Sequence, residues 1–85
     1  MPLLSRFFNI KIYMNWQDHP RPHIHAVYGD YEMSIDLNGR RMEGKMPPKQ
    51  KKLIEAWIIL HKKELEANWK RAEKMKPLKK IEPLK

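Results

Sequence analysis

Residues 7–16 alternate, with Phe8, Ile10, Ile12 and Met14 on one side and Asn9, Lys11, Tyr13 and Asn15 on the other. A period of two marks a half-buried strand. Residues 23–28 and 31–36 read as two more strands, with Gly29-Asp30 between them. Gly at the first central position suits a two-residue type II′ turn, and type I′ is the alternative. A two-residue loop sets Tyr28 opposite Tyr31, Ala26 opposite Met33 and Ile24 opposite Ile35, all on one apolar face. The other face then carries His25 opposite Ser34 and His23 opposite Asp36. Leu37-Asn38-Gly39-Arg40 supplies the next turn, since Asn-Gly is a strong hairpin signal. A two-residue turn there pairs Asp36 with Arg41, Ile35 with Met42 and Ser34 with Glu43. The expected outer rows are His23–Asp36–Arg41 and His25–Ser34–Glu43. A one-residue slip would turn the side chains to the other face.

Gly44 to Pro48 is a linker, with Pro48 suited to a first helical turn. The period then changes. Leu53, Trp57, Leu60, His61, Leu65, Asn68, Trp69 and Ala72 recur at steps of three and four. That spacing predicts an amphipathic helix of about seven turns. His61-Lys62-Lys63 is a candidate break into two helices, although no Gly or Pro enforces one. Pro77 and Pro83 exclude helix from the last stretch, where Leu78, Ile81 and Leu84 fall at steps of three. An extended, polyproline-like segment laid on a surface fits that spacing. The expected fold is α+β: an antiparallel meander of about four strands, a long C-terminal helix or two, and an extended tail. Residues 1–85 form one domain, with 1–44 the sheet, 45–75 the basic helical part and 76–85 the tail.

The net charge of +8 is unevenly placed. Residues 1–44 hold five Lys/Arg and five acids, whereas residues 45–85 hold thirteen Lys/Arg and five acids. The whole excess therefore lies in the second half. It points to an anionic partner such as RNA, DNA or an acidic protein, or to a solvated lysine-rich helix surface. Lys outnumbers Arg thirteen to five, which leans towards the second, because phosphate forks prefer Arg. There is no Cys, so disulfides and thiolate metal sites are excluded. No apolar run has the ~18 residues of a membrane span. The first residues lack the basic-then-apolar order of a secretory signal, so a cytoplasmic protein is expected.

Candidate chemistry gathers in Asp18-His19-Pro20-Arg21-Pro22-His23-Ile24-His25-Ala26, which holds three of the four His. Two prolines stiffen the loop that feeds the His23 strand. One reading is metal-free RNA cleavage. His23 and His25 would act as general acid and base, Arg41 or Arg21 would stabilise the phosphorane, Asp36 would orient His23, and the basic helix would hold the RNA backbone. No cofactor is needed for that chemistry. A second reading is a divalent zinc or iron(II) site built from His23 and His25 with Asp18 or His19. A third is a binding module, with Trp16, Tyr13, Tyr28 and Tyr31 as anchors or as core. Trp57 and Trp69 belong to the core, being on the helical stripe. His61 lies beside that stripe, with Asn68 a candidate partner.

These residues resemble domain-of-unknown-function family 4160. The resemblance rests on Ser5-Arg6-Phe7-Phe8, on Asp18-His19, Pro22-His23 and His25-Ala26, and on Glu43-Gly44-Lys45. It continues through Leu60-His61, Asn68-Trp69 and the closing Pro77-Leu78-Lys79-Lys80-Ile81-Glu82-Pro83-Leu84. It implies a partner: a cognate small protein encoded nearby, in the manner of a toxin–antitoxin pair. Arg21, His19, Lys45, Lys79 and Lys80 are the residues expected to meet RNA or the partner.

Overall fold

The computed structural model describes residues 2–16 and 21–85. Within them, β1 (Leu3–Phe7), β2 (Ile10–Tyr13), β3 (His23–Tyr28), β4 (Tyr31–Asp36) and β5 (Arg41–Gly44) form one antiparallel sheet in the order 1-2-3-4-5. Two helices follow, α1 (Pro48–Leu60) and α2 (Lys62–Glu73). The α+β meander is as expected, with one more strand.

The added strand comes from a turn inside the alternating stretch. Phe7 pairs with Ile10 across a two-residue loop, and Phe8 and Asn9 both have positive φ, 48° and 64°. Two positive φ values define a type I′ turn, whose twist matches the strands it joins. Asn tolerates that region, whereas Phe does so at a steric cost. Phe8 therefore leaves the apolar row and stands 56% exposed, while Phe7 enters the core. At the next hairpin only Gly29 of the central pair has positive φ, which selects type II′.

The β3–β4 register is the expected one, from His23↔Asp36 to Tyr28↔Tyr31. The β4–β5 register agrees at Ser34↔Glu43 and then slips, so that Ile35 rather than Asp36 faces Arg41. The loop is three residues long. The Gly39 amide donates to the Asp36 carbonyl at 3.0 Å, and the Asp36 amide donates to the Arg40 carbonyl at 2.9 Å. Gly39 takes φ +84°, the left-handed position that such a loop needs. Met42 becomes the extra residue of a bulge and does not face Ile35. Gly44 closes the strand where a Cβ would collide with the Glu32 carbonyl oxygen.

One sheet face carries Ile10, Ile12, Ile24, Ala26, Met33 and Ile35, all buried. Ile54, Trp57 and Ile58 of α1 and Leu65, Trp69 and Ala72 of α2 join them in one core, where the Trp57 ring lies 5.5 Å from Phe7. The helices break at His61, with φ −119° and ψ 24°. Glu64 sits in the first turn of α2 and accepts a hydrogen bond from His61 Nδ1 at 2.8 Å. An acid there suits the helix dipole. The bend takes Leu60 off the buried stripe, and it is 67% exposed.

The tail runs extended and is held mainly through its backbone. Asn68, buried, donates from Nδ2 to the Lys79 carbonyl at 2.8 Å and accepts from the Lys79 amide at 2.9 Å. Trp57 Nε1 donates to the Glu82 carbonyl and Trp16 Nε1 to that of Lys76. The Ile81 amide donates to the Leu4 carbonyl at 2.8 Å, and Ile81 is buried. The tail leaves α2 through a C-terminal motif in which Met75 has φ +56° while the Lys76 amide reaches back to the Arg71 carbonyl. Gly is the residue that adopts this conformation without strain. Met75 is 58% exposed, so little packing is at stake. Met75→Gly is expected to stabilise the fold by about 0.5–1 kcal/mol, raising Tm by roughly 3–6 °C in thermal unfolding.

Candidate functional site

β3 starts at His23, directly after Pro22. The Arg21 carbonyl can only accept, so His23 Nδ1 donates to it, at 2.7 Å. His23 is 4% exposed. It meets the His25 ring edge-on at 5.0 Å and lies 5.4 Å from the Trp69 ring of α2. His25, two residues on, shares that sheet face and is half-buried. Asn15 Nδ2 donates to His25 Nε2 at 3.3 Å, which leaves the proton of the neutral His25 ring on Nδ1.

Asp36 is opposite His23, as expected, but its carboxylate serves the loop. Oδ1 accepts the backbone amides of Asn38 and Arg40, both at 2.9 Å, and Oδ2 accepts Arg21 Nε at 3.1 Å. Burial pushes the carboxyl pKa up. The amides of Arg40 and Asn38, helped by the Arg21 hydrogen bond and charge, outweigh that and hold it below its ordinary value of 3.8. The Arg21 side chain is 51% exposed, so water screens its charge and the amides do most of the holding. His23 Nδ1 bonds to a carbonyl, so Asp36 does not orient it as a triad carboxylate would.

The expected His23–Asp36–Arg41 row is therefore incomplete. The slip at Met42 moves Arg41 off it, and Arg41 Nη1 donates to the Gly44 carbonyl of its own strand at 2.8 Å. Arg21, the alternative cation, does join Asp36. The His25–Ser34–Glu43 row is formed, and Tyr13 extends it on the far side of His25. His25, Ser34 and Glu43, with Glu32 and Gly44, frame a shallow depression of about 280 Å³. His61 stacks against Trp57 at 5.5 Å. Lys45 sits on the connection to α1, and Lys79 and Lys80 in the tail, all three exposed. Asp18 and His19 lie outside the described residues. Among the described residues, no three His, Asp or Glu side chains are grouped to hold a metal ion. The metal reading thus turns on Asp18 and His19. Trp69 and Asn15 are the members that sequence reasoning missed. Nothing local marks Trp69 as a neighbour of His23.

No helix among the described residues is long and apolar enough to cross a membrane. The family described as Domain of unknown function (DUF4160) matches residues 8–70. No curated protein and no solved structure matches the chain.

Asp36→Ala leaves two loop amides and the Arg21 guanidinium without their acceptor. The expected loss is about 2–3 kcal/mol in denaturant unfolding at neutral pH. The pH dependence has a definite sign. A carboxyl lowered in the folded state stabilises fully above its ordinary 3.8 and loses that contribution as pH falls through the lowered folded value. The gap between the native and Asp36→Ala proteins is expected to narrow below about pH 4.

Proposed function

We propose that this chain, which belongs to the DUF4160 family of domains of unknown function, acts as a binding module without chemistry of its own. In this reading it is the neutralising member of a cytoplasmic, bacterial toxin–antitoxin-like pair, and its partner is the small protein encoded beside it. The observation that carries the reading is the burial of His23 and Asp36, 4% and 5% exposed. Acid–base catalysis on RNA requires both proton-transfer groups to reach a phosphodiester. Here the His23 Nδ1 proton is held by a carbonyl and both Asp36 oxygens are engaged. His25 alone of the three stands partly at the surface. The histidine cluster acts in this reading as an internal brace that fixes the start of β3.

The surface offered to the partner is the α1–α2 corner. Ile59 and Leu60 are 76% and 67% exposed there. Beside them a groove of about 400 Å³ is lined by Leu37, Gly39, Glu55, Ile58, Ile59 and Lys62. Adjacent exposed aliphatic side chains over a groove suit an apolar anchor from a partner. The lysines on both helices would favour an acidic rim around it.

The test pairs growth with binding. The adjacent gene product alone is expected to arrest growth, and co-expression of this chain to relieve it. Ile59→Asp/Leu60→Asp, folded by circular dichroism, is expected to abolish the rescue and to weaken the purified complex at least 100-fold by calorimetry. Growth arrest by this chain alone, lost with His25→Ala and accompanied by RNA cleavage, would replace the reading with the nuclease one.

A further inference from the structure

The sheet has a second face. Alternation from the established registers puts Arg6, Lys11, Val27 and Glu32 in one row across β1 to β4. Tyr13, His25, Ser34 and Glu43 form the neighbouring row across β2 to β5. The helices bury the opposite face, and Trp69 of α2 also reaches the His23 end of this one. On this one, Arg6, Lys11, Glu32 and Glu43 are exposed, and Tyr13, Val27, His25 and Ser34 are half-buried. Lys45, whose amide donates to the Glu32 carbonyl, follows the left-handed Gly44 and lines a different depression with Tyr31, Arg41 and Lys51 of α1.

The charge on this face is divided by strand. Its two exposed cations stand on β1 and β2 and its two exposed anions on β4 and β5, while the buried Asp36 at its end is paired with Arg21. The face is therefore neutral in a chain of net charge +8. Two copies of so basic a chain repel each other over most of their surfaces. Here they would not. A two-fold axis running along β3, between two facing sheets, carries β2 of one copy over β4 of the other. Lys11 and Glu32 share a row, so each Lys11 then meets the partner copy's Glu32 at the same level. The Arg6 side of one sheet lies over the Glu43 side of the other. Val27, on the central strand, meets its own counterpart at the axis. A two-fold axis perpendicular to the strands would instead set cation over cation.

We propose that the sheet face around the Arg6–Lys11–Val27–Glu32 row is a self-complementary docking surface for a second copy of this chain, with Lys11–Glu32 contacts made twice about a two-fold axis along β3. Isologous pairing requires this kind of self-complementarity, and aligned sheet packing supplies the geometry. Five strands about 4.8 Å apart and some five residues deep give about 400 Å² per copy. That is small for an interface, so the dimer is weak and concentration-dependent. It uses a surface distinct from the α1–α2 corner and stands independently of the proposed function.

Sedimentation equilibrium of the full chain from 10 µM to 1 mM (about two decades) tests it. The native chain is expected to shift from monomer towards dimer across that range. Lys11→Glu alone and Glu32→Lys alone are each expected to weaken the dimer at least tenfold. An equimolar mixture of the two variants is expected to dimerise at least as well as the native chain, because both contacts then pair opposite charges. Both substitutions are at exposed positions, and circular dichroism verifies the fold. A native chain that stays monomeric to 1 mM, or a dimer that neither single variant weakens, or a mixture no better than the separate variants, would overturn the proposal.

Discussion

The carboxylate of Asp36 is the contact on which the working end of the sheet depends. It is buried, and it accepts two amides from the loop that follows it. Those two bonds fit a three-residue loop with Gly39 left-handed. The loop length fixes where β5 begins. The bulge at Met42 follows from it, and so does the displacement of Arg41. The same carboxylate reaches back to Arg21, whose carbonyl holds His23. One side chain thus ties β4, the loop to β5 and the start of β3. Removing it would take the shared acceptor from all three donors at once.

The tail shows a second economy of contacts. Extended backbone with no sheet neighbours on most of its length needs partners for its polar groups. Asn68, Trp57 and Trp16 supply them from side chains. Asn68 serves both sides of Lys79, which explains a buried carboxamide on an otherwise apolar helical stripe. Ile81 then fills the core beside these clamps. The tail closes a core that a chain of 85 residues would otherwise leave thin.

Much of this was legible from periodicity. The β3–β4 register followed from the two apolar runs and Gly29-Asp30, and every pair came out as expected. The stripe through Trp57, Leu65, Trp69 and Ala72 gave the helical face, whereas the break at His61 was only one of two alternatives. What periodicity could not reach was loop length. Asn38-Gly39 serves a two-residue turn or, one position along, a three-residue one, and the choice was made by Asp36 through contacts that no pattern displays. Phe8-Asn9 was misread for a related reason. Phe8 continues the alternation of Ile10 and Ile12, and only its positive φ shows that the chain reverses there. For the candidate site, His23 opposite Asp36 and His25 opposite Ser34 and Glu43 were readable. The contact of His23 with Trp69, far along the chain, was not.

The three tryptophans of the chain occupy three different junctions. Trp57 holds the end of the tail, Trp16 holds its start, and Trp69 lies against His23. Each indole is thus a built-in optical reporter of one joint. Replacing them one at a time by Phe would divide the intrinsic fluorescence into a signal for the seating of the tail and a separate one for the histidine brace, without attaching any label.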